Sequence, residues 1–382
     1  EPAQSFKQYI DTGNNAKEYK PLTLEEHWNS NHMKSVRTRM MAGETLKECE
    51  VCNDKLLNTD VYRSYFNRLF RHKIDEAYAS TDHTGYTTMK TISFDYRFNN
   101  LCNFKCRMCG DMLSSSWEAE TRKHKKWKTE TSPWMASPLR EQIKRFQDKQ
   151  VVQEFVDAIE TKQIREIYWC GGEPLMWEMH WKAMERIIEL GFADEVYVRY
   201  NSNLSRTSFG KSNLFSLLEF FNDYQICASI DGTGEVGEYI RDGLNYEQWL
   251  RNFKEGLSVA TNPRQMRLDF TITLLGLLEL KNMFDLSQQL NTEILTKVMF
   301  TFSNDEILSP LSLPKELLHT IIDEALAYMI PKATNKQRAL IEVLKNLKTR
   351  ETFTPTKQGK IRQLWLDKIR KQDITKILSK DK

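Results

Sequence analysis

Cys102, Cys106 and Cys109 fall within eight residues, Cys102-Asn103-Phe104-Lys105-Cys106-Arg107-Met108-Cys109, a Cys-x3-Cys-x2-Cys spacing. A loop this short can wrap one small inorganic cluster with every thiolate turned inward. Three thiolates on a four-iron cluster leave one iron without a protein ligand. An open metal position is a place for chemistry, as it is in a catalytic zinc site. The alternative is three reduced thiols in a loop, but clustered thiols are reactive and are rarely kept without a use. A second stretch, Trp169-Cys170-Gly171-Gly172-Glu173-Pro174, sets two glycines before a carboxylate. Glycines there let backbone approach a ligand closely; an ordinary strand-to-helix turn would also accept them.

Both stretches must be held by the elements around them. Residues 92–98 alternate as a strand and run directly into the cysteine loop. Further strands are expected over 166–170, 195–201, 226–231, 268–274 and 298–302. Helices are expected between them over 139–160, 178–190, 214–221, 246–260 and 280–290. Repeated β-α units with short apolar strands argue for an α/β fold with a parallel sheet and helices outside it. Six strands are fewer than the eight of a closed barrel. Each motif leaves the C-terminal end of its strand, where parallel α/β folds bind ligands.

Outside this core the pattern is helical. Thr23 caps a helix beginning at Leu24, a second runs from Met33 to Met41, and Tyr62, Tyr65, Phe66, Leu69 and Phe70 lie at helical spacing within 61–77. The lysine-rich tail from Pro314 has helical segments over 317–329, 337–347 and 361–378 and reads as a helical cap. The expected organisation is an N-terminal segment 1–90, a core 91–303 and a C-terminal extension 304–382.

The 382 residues are 40% apolar and 28% charged, as in a globular protein. No run of about eighteen apolar residues is present, so no membrane span is expected. The first residues, Glu1-Pro2-Ala3-Gln4-Ser5, carry no secretory leader, and a cytoplasmic location is expected; because position 1 is not Met, residues upstream could be missing. A net charge of +3 is too small to argue for nucleic acid. The run Thr121-Arg122-Lys123-His124-Lys125-Lys126-Trp127-Lys128 reads as a solvated helix face. Seven cysteines, an odd count with two tight clusters, read as a metal-binding intracellular chain and not a disulfide scaffold.

Cys102-x3-Cys106-x2-Cys109 after a first strand, with Gly171-Gly172-Glu173-Pro174 after a second, resembles the radical S-adenosylmethionine (SAM) superfamily. The resemblance implies a partial (β/α)6 barrel and an oxidoreductase with a 4Fe–4S cluster on Cys102, Cys106 and Cys109. SAM would chelate the open iron, and one electron would cleave it to a 5′-deoxyadenosyl radical that abstracts hydrogen from the substrate. The resemblance further implies that Gly171, Gly172, Glu173 and Pro174 meet the SAM amino group, Asn201 its ribose and Arg241 its carboxylate. Ser229 and Asp231, in Ser229-Ile230-Asp231-Gly232, would face SAM or substrate. Met108, where the family often has an aromatic residue, could pack on adenine, and Leu275-Gly276 could line it.

Cys49-x2-Cys52 with its flanks, Ser114-Ser115-Ser116-Trp117, and Leu366-Asp367 with Arg370, resemble SPASM or twitch-type radical SAM proteins. Such auxiliary domains usually follow the barrel, whereas this pair precedes it. Cys49 and Cys52 could hold a second iron–sulfur cluster, with His27, His32, an upstream segment or another subunit completing the ligands; zinc or no metal are the alternatives. Cys170 and Cys227 are expected to be buried small hydrophobes, with a role for Cys170 near the site left open. The family implies a peptide or protein substrate. The alternatives are a small molecule (sugar, nucleotide or amine) or a non-catalytic iron–sulfur protein. It also implies an electron donor such as flavodoxin or ferredoxin.

Overall fold

The computed structural model of the chain describes residues 22–47, 50, 62–97, 99–124, 137–299 and 307–378. Cys49 and Cys52 lie outside the described residues. The chain divides into two compact units, Glu1–Ile92 with Glu130–Ile164, and Ser93–Thr129 with Arg165–Lys382.

The first unit is helical. Thr23 and Glu26 close a capping box on the helix Leu24–Trp28, and Ser30 caps Asn31–Met41. Arg37 stacks over the Trp28 ring at 4.5 Å and donates to the Trp28 carbonyl. The Trp28 indole donates in turn to the Met89 carbonyl at 2.7 Å. The helical stretch Ser137–Phe146 continues through a wide turn at Gln147–Val151 into Val152–Glu160, whose Glu154 accepts from the Leu24 amide. His27 and His32 are exposed on their helices.

The second unit is built on six parallel strands: β1 (Ser93–Tyr96), β2 (Glu166–Trp169), β3 (Tyr197–Ser202), β4 (Asp223–Ser229), β5 (Met266–Ile272) and β6 (Ile294–Val298). Their order across the sheet is their order in the chain, and every pairing is parallel. Right-handed crossovers that never reverse direction put their helices on one face. The burial pattern agrees. Ile167, Trp169, Val198, Tyr200, Ile226, Ala228, Leu268, Phe270 and Ile272 are buried on that face. His180 from the helix Glu178–Glu189 reaches the Tyr200 hydroxyl there at 2.9 Å.

The other face is polar, which is unusual for an all-parallel sheet. The period of two sends Tyr168, Arg199, Asn201, Cys227, Ser229, Asp269 and Lys297 to it. Arg199 pairs with buried Glu166 at 2.6 Å, and Lys297 with Asp269 at 2.8 Å. Among the described residues β1 and β6 do not pair, and the helix Arg338–Leu347 packs along β6.

Several elements differ from the sequence expectation, among them the helix expected over 139–160, which is interrupted at Gln147–Val151. The sixth strand is described at Ile294–Val298, with Ile294 and Val298 opposite the buried Leu268 and Ile272; of the expected 298–302, residues 300–302 lie outside the described residues. The tail helix expected over 361–378 is two helices, Lys357–Arg370 and Ile374–Leu378. Lys371 takes a left-handed φ of 55° and ends the first.

Candidate active site

The cysteine loop leaves β1 and lies against the glycine turn that leaves β2. The Gly172 amide donates to the Asn99 carbonyl at 3.3 Å, and the Glu173 amide to the Leu101 carbonyl at 2.7 Å. A Cβ on Gly172 would stand 2.3 Å from the Leu101 oxygen, so only glycine permits this approach. Gly171 supplies the turn with a φ of 123°. The two motifs are therefore one interlocked backbone unit.

The carbonyls of the loop are taken up by the serine triplet that follows it. Ser114 donates to the Phe104 carbonyl, and Ser115 and Ser116 both donate to that of Cys102. Ser114 also caps the helix Ser115–Lys123, and the buried Trp117 indole donates to the Cys106 carbonyl at 2.7 Å. Lys105 and Arg107 donate their amides to Asp242 and Ile240. The thiol-bearing backbone is thus fixed from both sides.

Around the sulfurs stand polar groups. Cys102 and Cys106 are buried and Cys109 is partly exposed. Cys102 accepts from the Phe104 amide at 3.4 Å and from Asn203 Nδ2 at 3.9 Å; Arg241 Nη1 lies 3.9 Å from the Cys106 sulfur. Burial, and then the nearby Cys106, push the Cys102 thiol up to about 12. The hydrogen bond between Cys106 and Cys109 raises the first and lowers the second.

Arg241 ends the helix Gly234–Ile240 and lies 2.7 Å from Asp231, which is fully buried after β4. This pair is close in distance but off the N–H axis, so it acts as an ion pair more than as an aligned hydrogen bond. Burial opposes the charge on Arg241, but Asp231 and the thiols outweigh it and hold the guanidinium firmly protonated. Asp231 is raised by burial against the pull of Arg241, and it accepts from the Thr271 amide at 2.9 Å.

Glu173 is buried. It accepts from the Ser202 hydroxyl at 2.7 Å, the Asn203 amide at 2.6 Å and the Leu175 amide at 3.1 Å, the last capping a short turn that begins at Pro174. Burial nevertheless pushes its carboxyl up to about 7. Asn201 donates to Asp269 at 3.3 Å on the polar face, where Ser229 is the register partner of Asp269. Met108 packs on Val236, Tyr239 and Ile240 together with Leu275, Ile374 and Ile377.

Cys170 and Cys227 correct the sequence expectation. Neither is a buried hydrophobe; both are half-buried, Cys227 on the polar face by the register of β4 and Cys170 one residue past β2. Cys170 donates to Asp95 at 3.0 Å, and burial with that carboxylate pushes its thiol up to about 12. Of the basic run, Thr121 is buried while Arg122 and Lys123 are exposed; residues 125–128 lie outside the described residues.

Two features of the site, Asn203 and Arg107, were not singled out from sequence, and the contacts of Asp367 and Arg370, which were, were not foreseen. Asn203 touches Cys102 and precedes Leu204, a non-glycine residue at a left-handed φ of 49°. That strain is held by the Ser202 hydroxyl and the Asn252 amide. Arg107, beside Met108, is buried and bonded to Gln363 and Asp367 of the helix Lys357–Arg370 and to Gln372 just after it, with its guanidinium 3.6 Å over the Tyr239 ring. Arg370 mirrors it, bonded to Glu120 and to the Lys105 carbonyl. The C-terminal helices therefore clamp the cysteine loop.

Among the described residues, no three His, Cys, Asp or Glu side chains are arranged to hold a single metal ion. The donor set instead suits a group that takes three soft thiolates from one loop. A fixed cation at Arg241 balances the thiolates, and amide donors reach the Cys102 sulfur.

No family model and no curated protein matches the chain. Among solved structures it is similar to SuiB of Streptococcus suis. The structure of SuiB itself gives a TM-score of 0.39 at 11% identity. SuiB bound to S-adenosylmethionine gives 0.38 at 10%, and SuiB bound to the precursor peptide SuiA gives 0.35 at 10%. The matches cover 84%, 78% and 75% of this chain and 66%, 62% and 57% of the SuiB chains, in that order, so this chain spans less than two thirds of SuiB. Among the described residues, no helix is long and apolar enough to cross a membrane.

Proposed function

We propose that the chain is a radical SAM oxidoreductase. Its core, 91–303, is read as an open (β/α)6 barrel, with a candidate auxiliary site at Cys49 and Cys52 in 1–90 and a helical extension over 304–382. The observation that carries this reading is the interlock of the cysteine loop with the glycine turn through Leu101, Gly172 and Glu173. Cys102, Cys106 and Cys109 would hold a 4Fe–4S cluster that SAM completes; bound there, the cluster would supply the low-potential electron for reductive cleavage of SAM to a 5′-deoxyadenosyl radical.

This chain's residues set the conditions for that chemistry. Arg241 places a fixed positive charge beside the thiolates, and Asp231 holds it in position. Gly171 and Gly172 present bare backbone, and Glu173 with Pro174 fixes the turn behind it. Asn201 and Ser229 offer polar contacts at the strand ends, and Met108 offers a soft apolar wall. The Arg107 and Arg370 clamp braces the loop through the C-terminal helix.

A peptide or protein side chain is the proposed substrate, as the family resemblance implies. A small polar molecule is the second reading, favoured by the ion-paired polar face with Arg199–Glu166 and Lys297–Asp269. Anaerobic reconstitution with iron, sulfide, dithionite and SAM is expected to release 5′-deoxyadenosine. Cys102→Ala, Cys106→Ala and Cys109→Ala should each abolish release and lower bound iron, whereas Cys170→Ser should leave iron unchanged. No release from the intact chain under any reductant would overturn the proposal. Deuterium transfer from labelled peptides or labelled small molecules into 5′-deoxyadenosine separates the two substrate readings.

A further inference from the structure

Asn203 follows β3 directly, and its buried side chain stands between the two motifs with every polar atom engaged. Its backbone amide donates to the Glu173 carboxylate at 2.6 Å, on the side of the glycine turn. Its Oδ1 accepts from the Ser205 amide at 3.0 Å. A backbone amide can only donate, so this bond fixes which end of the Asn203 side chain is the oxygen. The nitrogen end therefore faces the cysteine loop. There Nδ2 donates to Asn103 Oδ1 at 3.0 Å and to the Cys102 sulfur at 3.9 Å, one hydrogen for each. Asn103 is held in turn by Ser205, whose hydroxyl accepts from it at 3.1 Å. The next residue, Leu204, keeps its left-handed φ of 49°, with the Asn252 amide donating to its carbonyl at 2.8 Å. Backbone strain maintained beside a reactive group is a sign that the aim of the neighbouring side chain matters.

We propose that Asn203 is a positioning residue that raises the reduction potential at Cys102, an inference that rests on the redox reading of the cysteine loop. One-electron reduction adds negative charge that the ligating sulfurs share. A desolvated N–H aimed at a sulfur stabilises that charge and favours the reduced state. The Phe104 amide, 3.4 Å from the same sulfur, is part of the cysteine loop and follows its fold. Asn203 comes from β3, and so ties the electron affinity of the loop to the strand end that also holds Glu173.

The test is a potentiometric titration of the reconstituted full chain without SAM, followed by electron paramagnetic resonance. One electron passes from titanium(III) citrate, which becomes titanium(IV), to the group held by Cys102, Cys106 and Cys109; no bond is made or broken. Asn203→Leu keeps the size of the side chain and removes the donor. At a fixed potential its ratio of reduced to oxidised group is expected to fall about tenfold, a midpoint about 59 mV lower. Asn203→Asp keeps the acceptor for the Ser205 amide and, at about pH 8.5 where a carboxylate is ionised, should lower the midpoint at least as far. Ser205→Ala removes a hydroxyl from the same network but leaves the donor, and should keep the wild-type midpoint. With isotopically labelled asparagine side-chain nitrogen, the reduced wild-type chain is expected to show a weak nitrogen coupling that both Asn203 variants lose. A merely structural role would lower iron content and leave the midpoint of the remaining group unchanged. A wild-type midpoint in either Asn203 variant that retains iron, or no nitrogen coupling in the wild type, would overturn the assignment. An intact chain that takes up no iron counts instead against the redox reading itself.

Discussion

Arg107, between the second and third cysteines, is ion-paired with Asp367, 260 residues further along the chain. The guanidinium is buried, so removing its partner leaves a charge without adequate compensation. Asp367→Ala is expected to destabilise the chain by about 3 kcal/mol. It should also expose the Cys106 and Cys109 thiols to Ellman's reagent. Urea denaturation and thiol titration check this; unchanged thiol reactivity would show that the clamp does not shield the loop.

Gly172 and Gly110 sit in adjoining loops with opposite tolerance. Gly172→Ala forces its Cβ into the Leu101 carbonyl, while a Cβ on Gly110 meets nothing within 4 Å. The first is expected to cost roughly 2–3 kcal/mol and most of the bound iron after reconstitution; the second should be close to neutral in both. Iron content and urea midpoints of the two variants are the measurement.

Glu173 gives the stability a downward slope with pH. Its folded pKa, about 7, lies above the ordinary carboxyl value of 4.5 because the group is buried. The native state therefore holds this proton more tightly than the unfolded chain. The stabilisation is complete below pH 4.5 and is lost as pH rises through 7, by on the order of 3 kcal/mol. In Glu173→Gln this slope should vanish when urea midpoints are compared across the window; a slope unchanged from wild type would refute the assignment.

His180 acts in the opposite sense. Burial lowers its pKa from 6.5 to about 3. Its contribution is present above pH 6.5 and is lost as pH falls toward 3, by about 2 kcal/mol at around pH 5. His180→Phe should weaken the fold at neutral pH, because the Tyr200 hydroxyl loses its partner. It should also flatten the acid limb of the stability profile, which thermal denaturation at several pH values would reveal.

The repeat of short strands and helices, the cysteine spacing and the Gly171–Pro174 turn were legible because each depends on near neighbours in sequence. Apolar periodicity and glycine placement dictate local conformation, and local conformation decided that β1 and β2 would each end in a motif. The partners of those motifs were not legible. Asn203 against Cys102, Leu101 against Gly172 and Asp367 against Arg107 are contacts between residues far apart in the chain. They arise only when parallel pairing brings strand ends side by side and the C-terminal helices fold back. Cys227 shows the same limit: a thiol reads as a small hydrophobe until strand register sends it to the polar face. Residue type and spacing determined what this chain could bind; only the tertiary packing decided which charges and amides surround the three sulfurs, because burial and pairing are properties of the assembled sheet.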